Sequence, residues 1–544
     1  MKVNQLPPDP MDLNLLLSGL FLLLWGIRIW PDAMIVSFYG LISLLLSAAG
    51  LLFFGMGLIG TRRRSYRIPI LVLYGIAFMA WAAARVLLSP SYGTDEISYD
   101  QWAAQLLLHG HNPYTQNLAW ALSHFHVPQT FYTYTISGQF IHQLSYPAMA
   151  IYPYLPLMFF GVVNQSAIAT DMIFWIISIL LFYFLLPQSY RWIALLFGTL
   201  NFYNVYVLGG VTDVLFFPFL FVAAYRWDHF DQGSGYWRWG PPIAFGLAAS
   251  VKQTVWFIAP FLFLALILEN RNNHRGWKTA LRYTAIAVAT FALVNGPFMV
   301  ENFMAWMHGL LLPLTQLTIP AGQGFIGLSL FEQIGGGSLA LFNDLGVIVL
   351  LAGLCSLFFY YKALKPLIFF MPSVVLFWAS RSFASYLLDL LPFAILSALT
   401  TKQAMNTNSL SPKWQKSVLA GLAVIFGLVL SLIILQPSPL NLAVTHIHVV
   451  GERKAVNQIV VLVTNKTNRL VQPHFTLTTN GRTTSFWTAS RTSLPPHHTV
   501  KVILLAPNEA SMPPLDSNFI VDAFTTHPET LSTSALCHAW MINQ

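Results

Sequence analysis

Apolar runs long enough to cross a bilayer recur along this chain, separated by short loops, and they constrain its fold more than any other feature. Runs lie near 11–30, 34–60, 68–88, 168–186, 192–208, 211–227, 241–253, 254–270, 282–300, 339–361, 366–380, 383–399 and 416–435. About 20 apolar residues make a helix long enough to span the hydrocarbon layer. Only 9% of the 544 residues are charged and 56% are hydrophobic, whereas a soluble domain carries about 25% charged residues. The expected fold is a polytopic α-helical membrane protein of about 11–13 transmembrane helices. The pair 241–253 and 254–270 reads either as two short helices or as one long helix kinked around Lys252 and Pro260.

The net charge of +8 does not point to nucleic acid, because Lys and Arg fall mostly in short loops between apolar runs, the pattern that sets membrane orientation. Arg62, Arg63, Arg64 and Arg67 assign the 60–68 loop to the cytoplasm, with a cytoplasmic N-terminus and Asp95 outside. Lys402, Lys413 and Lys416 put the C-terminal tail outside as well. The first run reads as a retained helix rather than a cleaved signal. Counting back from the later loops leaves 146–165 with both ends outside, as a segment that dips into the membrane or lies on it. Tyr146-Pro147 and Tyr152-Pro153-Tyr154-Leu155-Pro156 suit a broken backbone there. The alternative, a spanning 146–165, changes the helix count by one. Cys355 and Cys537 make neither a disulfide framework nor a metal motif.

This topology gathers Asp95, Glu96, Tyr152, Asp213, Lys252, His308 and Arg381 at the outer face, which suggests one external cavity. The large outer loop, 91–165, carries Asp95, Glu96 and Asp100. These acids could act as bases, bind cations or sit in a solvated loop, with Ser98 capping a helix that starts near Tyr99. Tyr99 and Trp102 are expected to pack that helix, 98–108, on the bilayer surface. Asp213 follows Gly209-Gly210-Val211-Thr212 and suits either a turn or a site. Lys252 is flanked by apolar residues and suits either a snorkelling side chain or a phosphate ligand. Arg381 lies outside, against the positive-inside trend, which favours an anionic partner. His308 reads first as a loop histidine. The second outer loop, 301–338, contains Gly322-Gln323-Gly324, which is no phosphate fingerprint without a βαβ unit.

Beyond 437 the composition turns to Thr, Asn, His and Pro. Alternating runs at 458–463, 474–478, 499–503 and 518–524, separated by turns such as Asn480-Gly481, predict an extracytoplasmic β-sandwich over 437–544. Trp487 and Trp540 suit core packing or stacking on sugar rings. Residues 1–436 form the membrane domain.

The pattern over about 68–400 resembles the GT-C glycosyltransferases, and is most similar to the branch that uses polyprenyl-phosphomannose. The matching pieces are Asp95 with Tyr99 and Gly110-x-Asn112-Pro113-Tyr114; Tyr152-Pro153-x-x-Pro156-Leu157; Gly209-Gly210-Val211-Thr212-Asp213; Gly246 to Lys252 followed by Pro260; and Arg381-Ser382-x-x-x-Tyr386 with Pro392. Gly210 stands where relatives often have Gln, and the added β-domain is a second departure. The resemblance implies an inverting transferase in the cell membrane, moving mannose or another hexose or pentose from a polyprenyl-phosphate sugar to a lipid or glycan acceptor on the outer face. Asp95 is the base by that match, with Glu96 behind it. Lys252, Arg381, Tyr152 and Asp213 are the donor and phosphate residues, and Tyr99, Tyr114, His308 and Tyr386 line the groove. The expected partners are donor, acceptor and membrane lipids. Cations on the protein can meet the leaving phosphate, so no cofactor or metal is required. Two other readings of the same features are a transporter or flippase of lipid-linked sugars, and a glycan ligase using a lipid-diphosphate donor.

Overall fold

The apolar runs form helices of two lengths. The structure, a computed structural model, describes residues 10–29, 37–59, scattered positions between 71 and 94, and 95–401 apart from 201–202, 204–208, 231–234, 272–274, 316 and 335. It also describes 428 and 436–538 apart from 451–454, 480–481 and 484. The expected basic loop at 60–68, most of the 68–88 span, the 416–435 span, Asn480-Gly481 and Trp540 lie outside the described residues. Among the described residues, four helices are long and apolar enough to cross a membrane, within Gly40–Ile59, Ser166–Leu185, Gly276–Thr315 and Ala340–Phe359. Six more apolar stretches are shorter, including Thr212–Ala224, Gly240–Ala249, Gln253–Glu269 and Ala384–Thr400.

The pair around Lys252 is two legs of a hairpin rather than one kinked helix. The Tyr283 hydroxyl donates to Pro241 O, and Asn295 Nδ2 to Ser250 Oγ, so Gly240–Ala249 runs alongside the long helix in the same direction. Trp277 packs on Phe263 and Phe291 on Trp256, so the following leg runs the opposite way. Gly246 makes the first contact possible, since a Cβ there would stand 2.5 Å from Ala287 O. Lys252, in extended backbone (φ −150°, ψ 146°), sits at the tip.

The loop expected at 301–338 begins later than the sequence suggests. The helix from Gly276 runs on to Thr315, broken only at Asn302 (φ −154°, ψ 87°). Asn302 Oδ1 accepts the Ala305 amide at 3.0 Å, an N-cap that restarts the helix at once. Segment 146–165 is broken, as its prolines require: turns at Ala148–Ala150 and Tyr152–Tyr154 lead into a five-residue helix, Leu155–Phe159. Phe159 and Phe160 are each 80% exposed at its end.

A fully paired ionic cluster lies at the far end of the bundle. Lys365 Nζ donates to Asp228 Oδ2 and Glu269 Oε2, both at 2.8 Å, and Tyr361 donates to Glu269. The Gln253–Glu269 leg separates Lys252 from this cluster by roughly 25 Å at ~1.5 Å per residue, comparable with the ~30 Å of a hydrocarbon layer.

The C-terminal region forms two antiparallel sheets around one core. The first contains Leu440–Val450, Ala455–Asn465, Thr499–Leu505 and Thr488–Ala489. The second orders Gly337–Ser338, Glu529–Thr533, Asn518–Thr526, His474–Thr479 and Arg482–Thr483, with Cys537–His538 pairing beside Asn518. Phe475, Leu477, Trp487, Val502, Leu504, Phe519 and Val521 fill the space between them. Trp487 is therefore a core residue and its ring is not offered to a sugar. The strand Gly337–Ser338 comes from the loop expected at 301–338, so the two parts of the chain share a sheet. A separate apolar cluster at this junction joins Phe325, Leu339 and Trp378 to Phe524 and Leu531.

Candidate functional site

The helix Asp95–Leu108 starts four residues before Tyr99, the position expected with Ser98 as cap. Thr94 is extended and precedes it, and its hydroxyl donates to Gly210 O, tying the helix start to the Gly209-Gly210 turn. Ser98 lies inside the first turn, bonding Asp95 O at 2.7 Å. Two acids in that turn, Asp95 and Glu96, complement the helix dipole.

The three carboxylates meet different partners because they leave the helix at different angles. Glu96 and Asp100, four residues apart, share a face, and both reach Thr212. The Thr212 amide donates to Glu96 Oε1 at 2.9 Å, and its hydroxyl to Asp100 Oδ2 at 2.5 Å. Lys252 Nζ donates to the same Glu96 oxygen at 2.6 Å and to Asp213 Oδ2 at 3.0 Å. The Tyr146 and Tyr386 rings flank its ammonium, with centroids 5.4 and 5.8 Å away. One lysine at the hairpin tip thus gathers the outer-loop helix, the Gly209–Asp213 turn and the Tyr386 segment. Its charge is met by two carboxylates and two aromatic faces, which is what burial of an ammonium demands.

Asp95 points elsewhere. Its Oδ2 accepts the Thr133 amide at 2.7 Å. The residue is 8% exposed. Burial pushes its carboxyl above the ordinary range, while the bonds from Thr133 and the charge of Arg381 pull it down. Burial also holds Asp100 well above that range, against its bond from Thr212. Asp100 Oδ1 is buried without a hydrogen-bond partner among the described residues.

Arg381 is held by a short parallel ladder, Arg381–Ser382 against Ala321–Gly322. Its guanidinium lies over the Phe383 ring at 5.0 Å. Among the described residues its buried Nε has no hydrogen-bond partner. Among the site cations, Lys252 is saturated by acids while Arg381 retains a donor.

Of the other expected residues, Tyr386 sits on Lys252. Tyr99 is buried and its hydroxyl donates to Ile141 O at 2.6 Å, so it packs inside the protein rather than on a bilayer surface. Trp102 packs on Trp120. The Tyr114 hydroxyl donates to Tyr146 O at 2.7 Å, positioning one ring of the Lys252 cage. Tyr152 donates to Val294 O at 3.1 Å and stacks on Phe298, against the long helix. His308 is exposed beyond the Asn302 kink and is not brought to the cluster. Thr133, Tyr146 and Thr212 belong to the site and were not singled out by the sequence reading. Tyr146 before Pro147 and Thr212 before Asp213 stood inside noted motifs, whereas nothing local marks Thr133.

Among the described residues, no group of three His, Cys, Asp or Glu is placed to hold a metal ion. Compared with known proteins, the chain matches no family model, no curated protein and no solved structure.

Proposed function

We propose that this chain is a polytopic membrane glycosyltransferase of the GT-C type, moving a sugar from a polyprenyl-phosphate donor to a hydroxyl acceptor at the outer face. The observation that carries the reading is a buried carboxylate, Asp95, that feels the charge of an arginine, Arg381, whose buried Nε has no hydrogen-bond partner among the described residues. An acceptor hydroxyl needs a base within hydrogen-bond reach, and a carboxyl raised by burial is better matched to neutral pH than an ordinary one. A departing lipid phosphate gains charge, and a guanidinium meets it with fixed, directional donors.

In this mechanism Asp95 takes the acceptor proton as the acceptor oxygen attacks the anomeric carbon. The bond to the phosphate oxygen breaks on the opposite side, so the configuration inverts. Arg381 binds the leaving phosphate. Glu96 and Asp213 are the counter-ions of Lys252. Lys252 therefore shapes the site and sets its potential, leaving direct phosphate contact to Arg381. The exposed Phe159 and Phe160 fit a segment whose tip touches lipid, and the ionic clusters at the two ends of the hairpin leg fit the two faces of a membrane.

The test is transfer by purified protein in lipid, with radiolabelled polyprenyl-phosphate mannose and a total lipid and glycan extract as acceptor. Product that vanishes in Asp95→Asn and in Arg381→Ala supports the reading. Label that crosses the bilayer without bond formation would replace it with transport, and activity only with a lipid-diphosphate donor would replace it with ligation.

A further inference from the structure

Backbone hydrogen bonds join the segments that carry both proposed reacting groups, and side chains tie that ladder to the C-terminal sandwich. The first outer loop folds into a hairpin in which Tyr134 bridges Phe140 and Thr135 N–H donates to Gln139 O at 2.7 Å. One side of this hairpin pairs with the second outer loop: Ile136 N–H donates to Leu317 O at 3.0 Å, and Ile319 N–H to Tyr134 O at 2.9 Å. Two residues later that loop becomes Ala321–Gly322, which pairs with Arg381–Ser382. At the start of the hairpin, the Thr133 amide bonds Asp95.

The other side of the hairpin rests on the sandwich. The Tyr134 ring meets Phe486 edge-on, with centroids 5.7 Å apart, and its hydroxyl donates to Ser485 Oγ at 3.4 Å. At the hairpin turn, Gly138 (φ +87°) lies against His474 and Phe486; a Cβ there would stand 3.6 and 3.8 Å from their rings. Phe486 in turn touches His474 and Phe524. The ring is thus wedged between the hairpin and the sheet.

We propose that the C-terminal sandwich is an integral part of the candidate site, with Phe486 as a positioning residue that holds the hairpin so that the Thr133 amide keeps its bond to Asp95. This rests on the reading of Asp95 as the base. The geometric claim, however, is measurable without any sugar donor. A buried carboxylate is oriented by its donors, and an amide 353 residues away from Phe486 in sequence keeps its place only if the hairpin does.

The experiment uses full-length protein in lipid nanodiscs, as wild type, Phe486→Ala, Phe486→Tyr and Thr133→Pro. The last removes the donor directly, and Tyr132 already has the extended backbone (ψ 137°) that a following proline requires. Two quantities are read: hydrogen exchange over 129–142, and carbodiimide-promoted amine coupling to Asp95. Phe486→Ala should speed exchange at Thr133 by on the order of tenfold or more, and raise Asp95 coupling to the level seen in Thr133→Pro. Exchange over the distant Gln253–Glu269 leg should not change. Phe486→Tyr should restore wild-type values. In the transfer assay, loss of the Thr133 bond raises the Asp95 carboxyl further, so the acid limb of the pH profile should move to higher pH in Phe486→Ala and return in Phe486→Tyr. Unchanged exchange and coupling in Phe486→Ala would overturn the proposal. So would faster exchange over 129–142 with coupling to Asp95 at the wild-type level. If Phe486→Ala fails to fold, Phe486→Leu replaces it, with the same criteria. Absence of transfer in the wild type, with exchange and coupling as expected, would remove the enzyme reading and leave the positioning intact.

Discussion

Replacing Asp522 by Asn should remove the loss of stability that the C-terminal sandwich of the wild type shows as pH rises. Asp522 is fully buried in the strand Asn518–Thr526, on the face opposite Phe519, Val521 and Ala523. Its Oδ2 accepts the Thr478 hydroxyl at 2.6 Å, and its Oδ1 has no partner. Burial pushes the carboxyl from its ordinary 3.8 up to about 8, with the Thr478 bond working weakly against the shift. Because the folded value is the higher one, the native state binds a proton that the unfolded state has already released between these limits. Stability is therefore greatest below pH 3.8, falls as pH rises, and levels off above about 8. Each pH unit in that window costs ~1.4 kcal/mol, so the full span corresponds to roughly 6 kcal/mol and the interval from pH 5.5 to 7.5 to about 3 kcal/mol. Asn does not titrate. Its amide adds a constant offset of about 1–3 kcal/mol if one hydrogen stays unpaired, which leaves the slope as the diagnostic quantity. The measurement is the protection of amides in Asn518–Thr526 by hydrogen exchange in the full-length protein, corrected for the pH dependence of intrinsic exchange. The wild type should lose protection from pH 5.5 to 7.5, while Asp522→Asn loses that downward slope and keeps only the opposite, smaller trend set by His474, whose imidazole burial pushes down. Parallel pH dependence in the two proteins would refute the argument that a neutral carboxyl is built into this sheet.

Further outcomes follow from the ionic geometry. Asp95→Asn should fold, since Thr133 can still donate to the amide oxygen, yet lose about 10²–10⁴-fold in transfer rate, measured with the radiolabelled donor. Arg381→Lys should keep the charge but lose the directional guanidinium, lowering turnover by on the order of 10²-fold, with Lys252→Ala instead reducing yield of folded protein, because Glu96 and Asp213 would be left buried and unpaired. At the opposite end, Lys365→Ala should destabilise the bundle by about 3–5 kcal/mol, seen as a lower melting temperature in nanodiscs, while Lys365→Ala together with Asp228→Asn and Glu269→Gln should recover part of that loss.

The features legible in the sequence were those that depend on near neighbours. Runs such as 37–59 and 340–359 form helices because long, mostly apolar stretches without Pro satisfy their backbone only internally. Prolines at 147, 153 and 156 break the segment that carries them. Alternation at 458–463 and 518–524 becomes strand because one face must be buried. Where local signals compete, the reading slipped. Ser98 looked like a cap, but Thr94 at the Gly210 turn starts the helix. Glu301 and Asn302 looked like the beginning of a loop, but the Asn302 side chain caps a new helical stretch and the chain stays helical to Thr315.

By itself the sequence determined the apolar helices, the acids at 95, 96 and 100 and the C-terminal strands, all consequences of composition and periodicity over a few turns. Only the tertiary structure decided who meets whom. It set Lys252 between Glu96 and Asp213 and left Arg381 with an unpaired donor. It turned His308 away, gave the loop strand Gly337–Ser338 to the C-terminal sheet, and brought the Thr133 amide to Asp95. A charge or a backbone amide can be satisfied by many partners of the same type, and the chain does not mark which distant one it will be. That choice is made when the whole fold closes, by the requirement that every buried charge and amide find some partner at once.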